Sequence, residues 1–279
     1  AEPLATLAAR FASAGHELAL VGGPVRDAFL GRPVNDLDLT TSARPDDIVR
    51  IVRPVADAHW DIGRAFGTIG ARLGDHTVEI TTYRSDAYSP DSRKPEVSFG
   101  DTLEGDLVRR DFTMNALALR LPSLTLVDPS GGLDDLFARR LMTPAPPEQS
   151  FGDDPLRMLR AARFAAQLDV AVDPGVIDAM SRMRDRLSIV SAERIRDELV
   201  KLLVTGAPRA GLELLVQTGL ADAVLPELPA LRLEVDEHAH HKDVYEHSLT
   251  VLEQAIELEA ARTPEAAPDV VLRLAALLH

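Results

Sequence analysis

Residues 22–39 read GGPVRDAFLGRPVNDLDL, and three local signals meet in them. Upstream, residues 17–21 (ELALV) form an apolar run that reads as a buried strand entering a turn at Gly22-Gly23. PVRDAFLG then reads as a short helix, with Pro24 near its start and Gly31 at its end. DLDLTT, residues 36–41, reads as a strand with alternating faces. On that strand Asp36 and Asp38 project to one face, roughly 6.6 Å apart at Cα. A strand, a glycine turn, a short helix and an acidic strand are the start of a mixed α/β unit.

Working outward, residues 4–15 have the spacing of an amphipathic helix stopped at Gly15, and residues 45–58 suggest another helix. GTIGARLG and HTVEITTYR suggest two strands joined by a Gly-Asp turn, with Glu79 on the second. Residues 85–107 are rich in Pro, Gly, Ser and Asp and read as a long loop. DFTMNALALRL reads as helix into strand, TLVDPSGGLDDL as strand and turn, and PAPPEQS as a stiff linker. From Phe151 onward the apolar residues recur at three- and four-residue intervals, and no clear strand follows. The expected fold class is therefore α+β. A head with a small mixed sheet over residues 1–140 precedes an all-helical neck, 141–210, and a helical body, 211–279.

The 279 residues carry a net charge of −14, distributed as −6 over residues 1–150, +1 over 151–210 and −9 over 211–279. So acidic a chain does not bind nucleic acid by bulk electrostatics; RNA binding would need a local basic surface, and 151–210 is the stretch that escapes the acidic bias. No apolar run reaches the length of a membrane span. The start lacks a basic region followed by a small-residue cleavage site, so no export signal is expected. The absence of cysteine rules out disulfides and thiolate metal sites and fits a cytoplasmic address.

The candidate chemistry begins with the acidic strand. Two carboxylates on one face suit a pair of Mg²⁺ ions about 3.5–4 Å apart, as in phosphoryl and nucleotidyl transfer. Glu79 could present a third carboxylate from a neighbouring strand. The plain alternative is a surface turn, since Asn and Asp favour turns. Gly22 and Gly23 let backbone N–H groups approach phosphate oxygens, and Arg26 adds a charge for a triphosphate; the alternative is a surface Arg26–Asp27 pair.

Further motifs follow in order: RRDFTMNA at 109–116, SGGLDDL at 130–136, FGDDPLRMLRAARFAA at 151–166 and SAERIRDELVKLL at 191–203. With GGPVRDAFLGRPVNDLDLTT, this set resembles motifs A to E of the class II tRNA nucleotidyltransferases. These are the CCA-adding enzymes and their bacterial poly(A) polymerase relatives. The resemblance spans about residues 18–205 and implies a polymerase-β-like nucleotidyltransferase head. It implies CCA addition to tRNA 3′ ends from CTP and ATP, with two Mg²⁺ ions on Asp36 and Asp38 and with Glu79 as a further catalytic carboxylate. It implies ribose selection by Arg110, Asp111 and Asn115, although Asp111 is also placed to cap a helix.

Asp154 and Arg157 stand at i and i+3 on one helical face. A carboxylate offers only acceptors and a guanidinium only donors, so together they can address the Watson–Crick edge of a base. The resemblance implies that this pair selects C and A without a nucleic-acid template, and that Arg160 and Arg163 also contact nucleotide. The alternatives are an N-cap at Asp153 or Asp154, with Pro155 opening the helix, and a solvated basic face. Family members commonly begin this motif with Glu-Asp, where this chain has Asp153-Asp154.

Gly63-Arg64-Ala65-Phe66-Gly67-Thr68 fits the Gly-x-x-Phe-Gly-Thr pattern of the CCA-adding branch rather than the more basic pattern of the poly(A) polymerases, which use ATP alone. His238, His240, His241, His247 and His279 could ligate a metal, and HKDVYEHSLTVL with LRLAALLH resembles the opening of an HD phosphohydrolase domain. The aspartates of such a site are absent up to His279, so exposed helix histidines are expected instead.

Overall fold

The computed structural model describes residues 2–34, 37–61, 63–84, 87–89, 92–96, 99–233 and 244–279. Asp36, His238, His240 and His241 lie outside the described residues. The chain divides into two compact units, Ala1–Ala138 with Met142–Pro146, and Arg139–Leu141 with Pro147–His279. Its class is α+β, as expected.

The first unit runs α1 (Glu2–Ser13), β1 (Leu18–Val21), α2 (Gly23–Phe29), β2 (Leu37–Thr41), α3 (Pro45–Val52), β3 (Ala58–Trp60), β4 (Thr68–Leu73) and β5 (His76–Thr82). It continues with β6 (Ala87–Ser89), β7 (Ser92–Glu96), α4 (Leu103–Val108), β8 (Ala118–Leu121), β9 (Thr125–Val127) and α5 (Gly132–Phe137). Seven strands form one sheet in the order β3-β4-β5-β2-β1-β8-β9. β2 and β5 are parallel; the other neighbouring pairs are antiparallel. β6 and β7 form a separate antiparallel pair.

The two-residue period of the strands sorts the side chains into a core face and a site face. Leu39, Ile69, Ala71, Val78 and Ile80 pack against Leu7 and Phe11 of α1 and Ile48, Ile51 and Val52 of α3. The helical residues recur at i, i+3 and i+4, which puts them on one stripe. Burying each large one stabilises the unit by roughly 1.5–3 kcal/mol. On the other face Ala19, Val21 and Ala118 pack with Leu103 and Leu107 of α4. Alternation along β2 thus sends Leu37 and Leu39 into the first core and leaves Asp38 and Thr40 on the side of α4.

The second unit contains α6 (Pro147–Asp153), α7 (Leu156–Leu168), α8 (Pro174–Met183), α9 (Ala192–Leu203), α10 (Arg209–Gln217), α11 (Ala221–Val224), α12 (Glu227–Ala230), α13 (Val244–Arg262) and α14 (Val270–Leu277). α7 packs against both α9 and α10. The crossing with α10 needs Gly211, because a Cβ there would lie 2.5 Å from the carbonyl oxygen of Ala162. Buried Arg273 of α14 donates to the carbonyls of Leu203 and Thr205, both at 2.7 Å, and so closes the C-terminal end of α9. Its other nitrogens donate to Glu259 of α13.

Several local expectations change: the helix expected over 45–58 ends at Val52 and Ala58 opens β3, and the turn expected at SGGLDDL is the helix α5. The end of the presumed 85–107 loop is helical, because Thr102 caps α4 by accepting from the Gly105 N–H at 3.2 Å. The PAPPEQS linker ends inside α6, with Pro147 as its first residue, where the missing N–H costs nothing. One strand does follow Phe151: β11 (Ala171–Val172) pairs in parallel with β10 (Arg140–Leu141). Two residues are too short a run to leave a periodic signal.

Candidate active site

β1 delivers the chain to Gly22, which has φ +73° and ψ −132°, a conformation that only glycine adopts at little cost. A Cβ at Gly22 would lie 3.2 Å from Nη1 of Arg110, so this guanidinium sits directly against the glycine turn. Arg110 is held from behind: its Nη2 donates to Oδ2 of Asp106 at 3.2 Å. Oδ1 of Asp106 accepts from Nε and Nη2 of Arg109, at 3.1 and 2.7 Å, and from the Arg84 N–H at 3.2 Å. Thr40 of β2 donates its hydroxyl to the Thr81 carbonyl at 3.0 Å and lies 3.4 Å from Oδ2 of Asp106, which sets this centre beside β2.

Asp106 is 1 % exposed. Desolvation alone would push its carboxyl up. The charges of Arg110 and Arg109, with the hydrogen bonds from Arg109 and Arg84, outweigh this and hold it below the usual carboxylate range. It was not singled out by sequence. The available signal was helical spacing, since Asp106 precedes Arg109 and Arg110 by three and four residues.

Arg26 is 5 % exposed and its donors are engaged. Nη1 donates to Oδ1 of Asn115 at 2.6 Å, while Nε and Nη2 donate to Asp27. Asn115 in turn donates to Oδ1 of Asp111 at 3.1 Å, which also accepts from the Phe112 N–H at 2.8 Å. Arg26, Asn115 and Asp111, from two separate motifs, thus form one continuous polar chain. The turn that carries Asn115 (Thr113–Asn115, a single 3₁₀ turn) is anchored by Thr113, whose hydroxyl donates at 2.7 Å to the buried carboxylate Asp135. Asp135 belongs to SGGLDDL.

Asp38 on β2 stands opposite Glu79 on β5 in the parallel register, and both are exposed. Directly paired residues of adjacent strands project to the same face, about 4.8 Å apart across the ladder. Their oxygen-only donor chemistry fits a hard divalent cation such as Mg²⁺. Among the described residues no cluster of three or more His, Asp or Glu could hold a metal ion. Asp36, two residues before Asp38, lies outside them.

The second unit carries the other motif. Oδ1 of Asp154 accepts from the Leu156 N–H at 3.1 Å just before α7, whose N-cap is Pro155. Oδ2 of Asp154 accepts from Nη2 of Arg194 at 3.0 Å. Arg157 is 7 % exposed and donates through Nη1 to the hydroxyl of Ser150 at 2.9 Å. Arg163 is also buried, and it donates to Glu198 of α9 at 2.7 Å and to Gln167 at 2.8 Å. Its guanidinium lies 4.1 Å from the ring centroid of Phe164, and that of Arg160 lies 5.7 Å from it. Neither Arg157 nor Arg163 is on a solvated helix face. Farther along, the rings of His247 and His279 lie 5.3 Å apart, both exposed.

The chain is similar to known proteins over most of its length. Residues 18–142 match the poly A polymerase head domain, and residues 169–231 match the probable RNA and SrmB-binding site of polymerase A. The CCA-adding enzyme of Bacillus subtilis is 40% identical over 217 residues, 77% of this chain and 52% of that protein. That of Levilactobacillus brevis is 41% identical over 210 residues, 74% of this chain and 51% of that protein. The chain therefore spans about half the length of these curated relatives. The crystal structure of the Bacillus stearothermophilus CCA-adding enzyme in complex with CTP superposes with a TM-score of 0.73 at 31% identity, covering 99% of this chain and 65% of that one. The head matched over residues 18–142, the RNA-binding segment over 169–231 and relatives near 40% identity agree: the chain belongs to the family of CCA-adding tRNA nucleotidyltransferases and bacterial poly(A) polymerases.

Proposed function

We propose that this chain catalyses template-independent addition of C and A to the 3′ end of tRNA, from CTP and ATP, with release of pyrophosphate. The observation that carries it is the assembly in the first unit, where Arg110 packs against the Gly22 turn and donates to Asp106, whose carboxylate lies beside Thr40 of the carboxylate strand. Gly22 and Gly23 offer backbone N–H groups, and Arg110 offers a guanidinium held in place, to the triphosphate. Arg26 acts from behind, orienting Asn115, and through it Asp111, toward the ribose.

Asp38 and Asp36, with Glu79, would hold Mg²⁺, two ions in our reading; bound Mg²⁺ would lower the barrier by activating the 3′-hydroxyl and neutralising charge on the leaving pyrophosphate. In the second unit Asp154 and Arg157 select the base, supported by the acceptor–donor chemistry of their side chains. Arg160 is assigned a nucleotide contact by family resemblance; Arg163, engaged by Glu198 and Gln167, braces the helix that carries the pair. We assign base selection and RNA binding to residues 141–210, and holding of the acceptor arm to the helical remainder. A chain without cysteine suits the cytoplasm, where tRNA maturation would place it.

The test is incubation with a tRNA transcript lacking CCA, Mg²⁺ and labelled CTP or ATP. Ordered incorporation of C and then A is expected. Incorporation of ATP alone, on many RNAs, would instead establish poly(A) polymerase activity. The match to the poly A polymerase head domain keeps that as the second reading.

A further inference from the structure

We infer that Arg194, on α9 and outside the base-selecting motif, is a specificity-determining positioning residue that sets the orientation of the Asp154 carboxylate. The inference rests on the proposed role of Asp154 in reading the base. Asp154 is gripped from two sides. Oδ1 accepts from the Leu156 N–H at 3.1 Å and Oδ2 from Arg194 Nη2 at 3.0 Å. The first bond is local to the start of α7 and leaves the carboxylate plane loosely defined, because the terminal torsion of Asp is broad. The second comes from a residue 40 positions away and fixes that plane.

The placement of Arg194 supports a task beyond helix formation. Ser191 precedes α9, so Arg194 occupies the third helical position, where a capping box would carry Glu or Gln. A cation in the first turn also faces the positive end of the helix dipole. Local helix physics therefore disfavours arginine here, and the carboxylate of Asp154 is what offsets the cost. The arginine side chain is 40% exposed and that of Asp154 22%, so the pair is reachable from solvent rather than a sealed core bridge.

The chemical consequence is specific. Each carboxylate oxygen has two acceptor sites, and one on each is already used. The remaining sites can accept from an exocyclic amino group, which cytosine and adenine present where uracil and guanine present a carbonyl. A carboxylate held in one plane rejects the carbonyl bases by lone-pair repulsion. One that can rotate away rejects them less.

The experiment compares Arg194→Met, Arg194→Lys and Asp154→Asn with the parent chain, using tRNA transcripts lacking CCA and each of CTP, ATP, UTP and GTP. Arg194→Met should raise incorporation of UTP relative to CTP about tenfold, and Arg194→Lys should restore part of the discrimination. Equilibrium binding of CTP and UTP to the same variants reads the same ratio if turnover is too slow. A proportional loss of all four nucleotides in Arg194→Met, with the ratio unchanged while Asp154→Asn alters it, overturns the role of Arg194. An unchanged ratio in Asp154→Asn overturns the underlying assignment of Asp154 instead.

Discussion

Asp106 shows how much one buried carboxylate can organise. It receives Arg109, Arg110 and the Arg84 N–H while almost fully excluded from water. Removing its charge leaves two arginines without their common partner, which for a buried pair costs about 3–5 kcal/mol. Asp106→Asn is therefore expected to lower unfolding stability by that order at pH 7 and to raise KM for both nucleotides, measured by urea denaturation and by initial rates. The pH dependence follows from the lowered pKa. The charged form is favoured in the folded state, so its stabilisation is complete above the unfolded carboxyl value, about 3.9, and is lost as pH falls through the lower folded value. The acid limb of the stability profile should flatten in Asp106→Asn. Asp38→Asn behaves oppositely: this exposed residue should leave stability within roughly 0.5 kcal/mol of the parent while abolishing Mg²⁺-dependent incorporation. Unimpaired incorporation in Asp38→Asn would remove the metal assignment.

At the scale of elements, β1, α2, β2, β4 and β5 were legible because each has a short-range signal: apolar alternation, a proline near a helix start, or a glycine turn. α4 was hidden inside a polar stretch, since its amphipathic pattern covers only six residues. The glycine turn yields a prediction at this scale. Gly22→Ala must adopt φ near +73° and bring a Cβ to 3.2 Å from Arg110. About 1–3 kcal/mol of strain is expected, with a displaced Arg110 and a lower kcat, checked by thermal unfolding and turnover. Gly211→Ala tests packing instead. Its Cβ would collide with backbone in α7, so about 1–3 kcal/mol of destabilisation is expected. Base discrimination should change only as far as α7 shifts.

For the whole molecule, charge is the controlling property. With a net charge of −14, nonspecific RNA affinity should be low and the bound RNA should touch few cationic groups. Binding of a tRNA lacking CCA is expected to fall less than about 10³-fold between 50 and 200 mM salt, because fewer phosphates are neutralised than in a strongly basic binder. Filter binding across that range measures the slope, and a steeper one would point to a basic surface larger than residues 151–210 supply.

The sequence by itself determined the order of motifs, the α+β class and the types of chemistry available. These depend on local periodicity and on which functional groups the residues carry, both legible one window at a time. Only the tertiary structure decided which groups meet. It set Arg110 against Gly22 and coupled Arg26 to Asn115 across 89 positions. It also made Asp106 a hub rather than another surface acid and gave Asp154 a partner 40 positions away. The physical reason is that a hydrogen bond depends on separation in space, and burial strengthens it by removing competing water. Neither spatial distance nor exclusion of water is written in the spacing of residues along a chain.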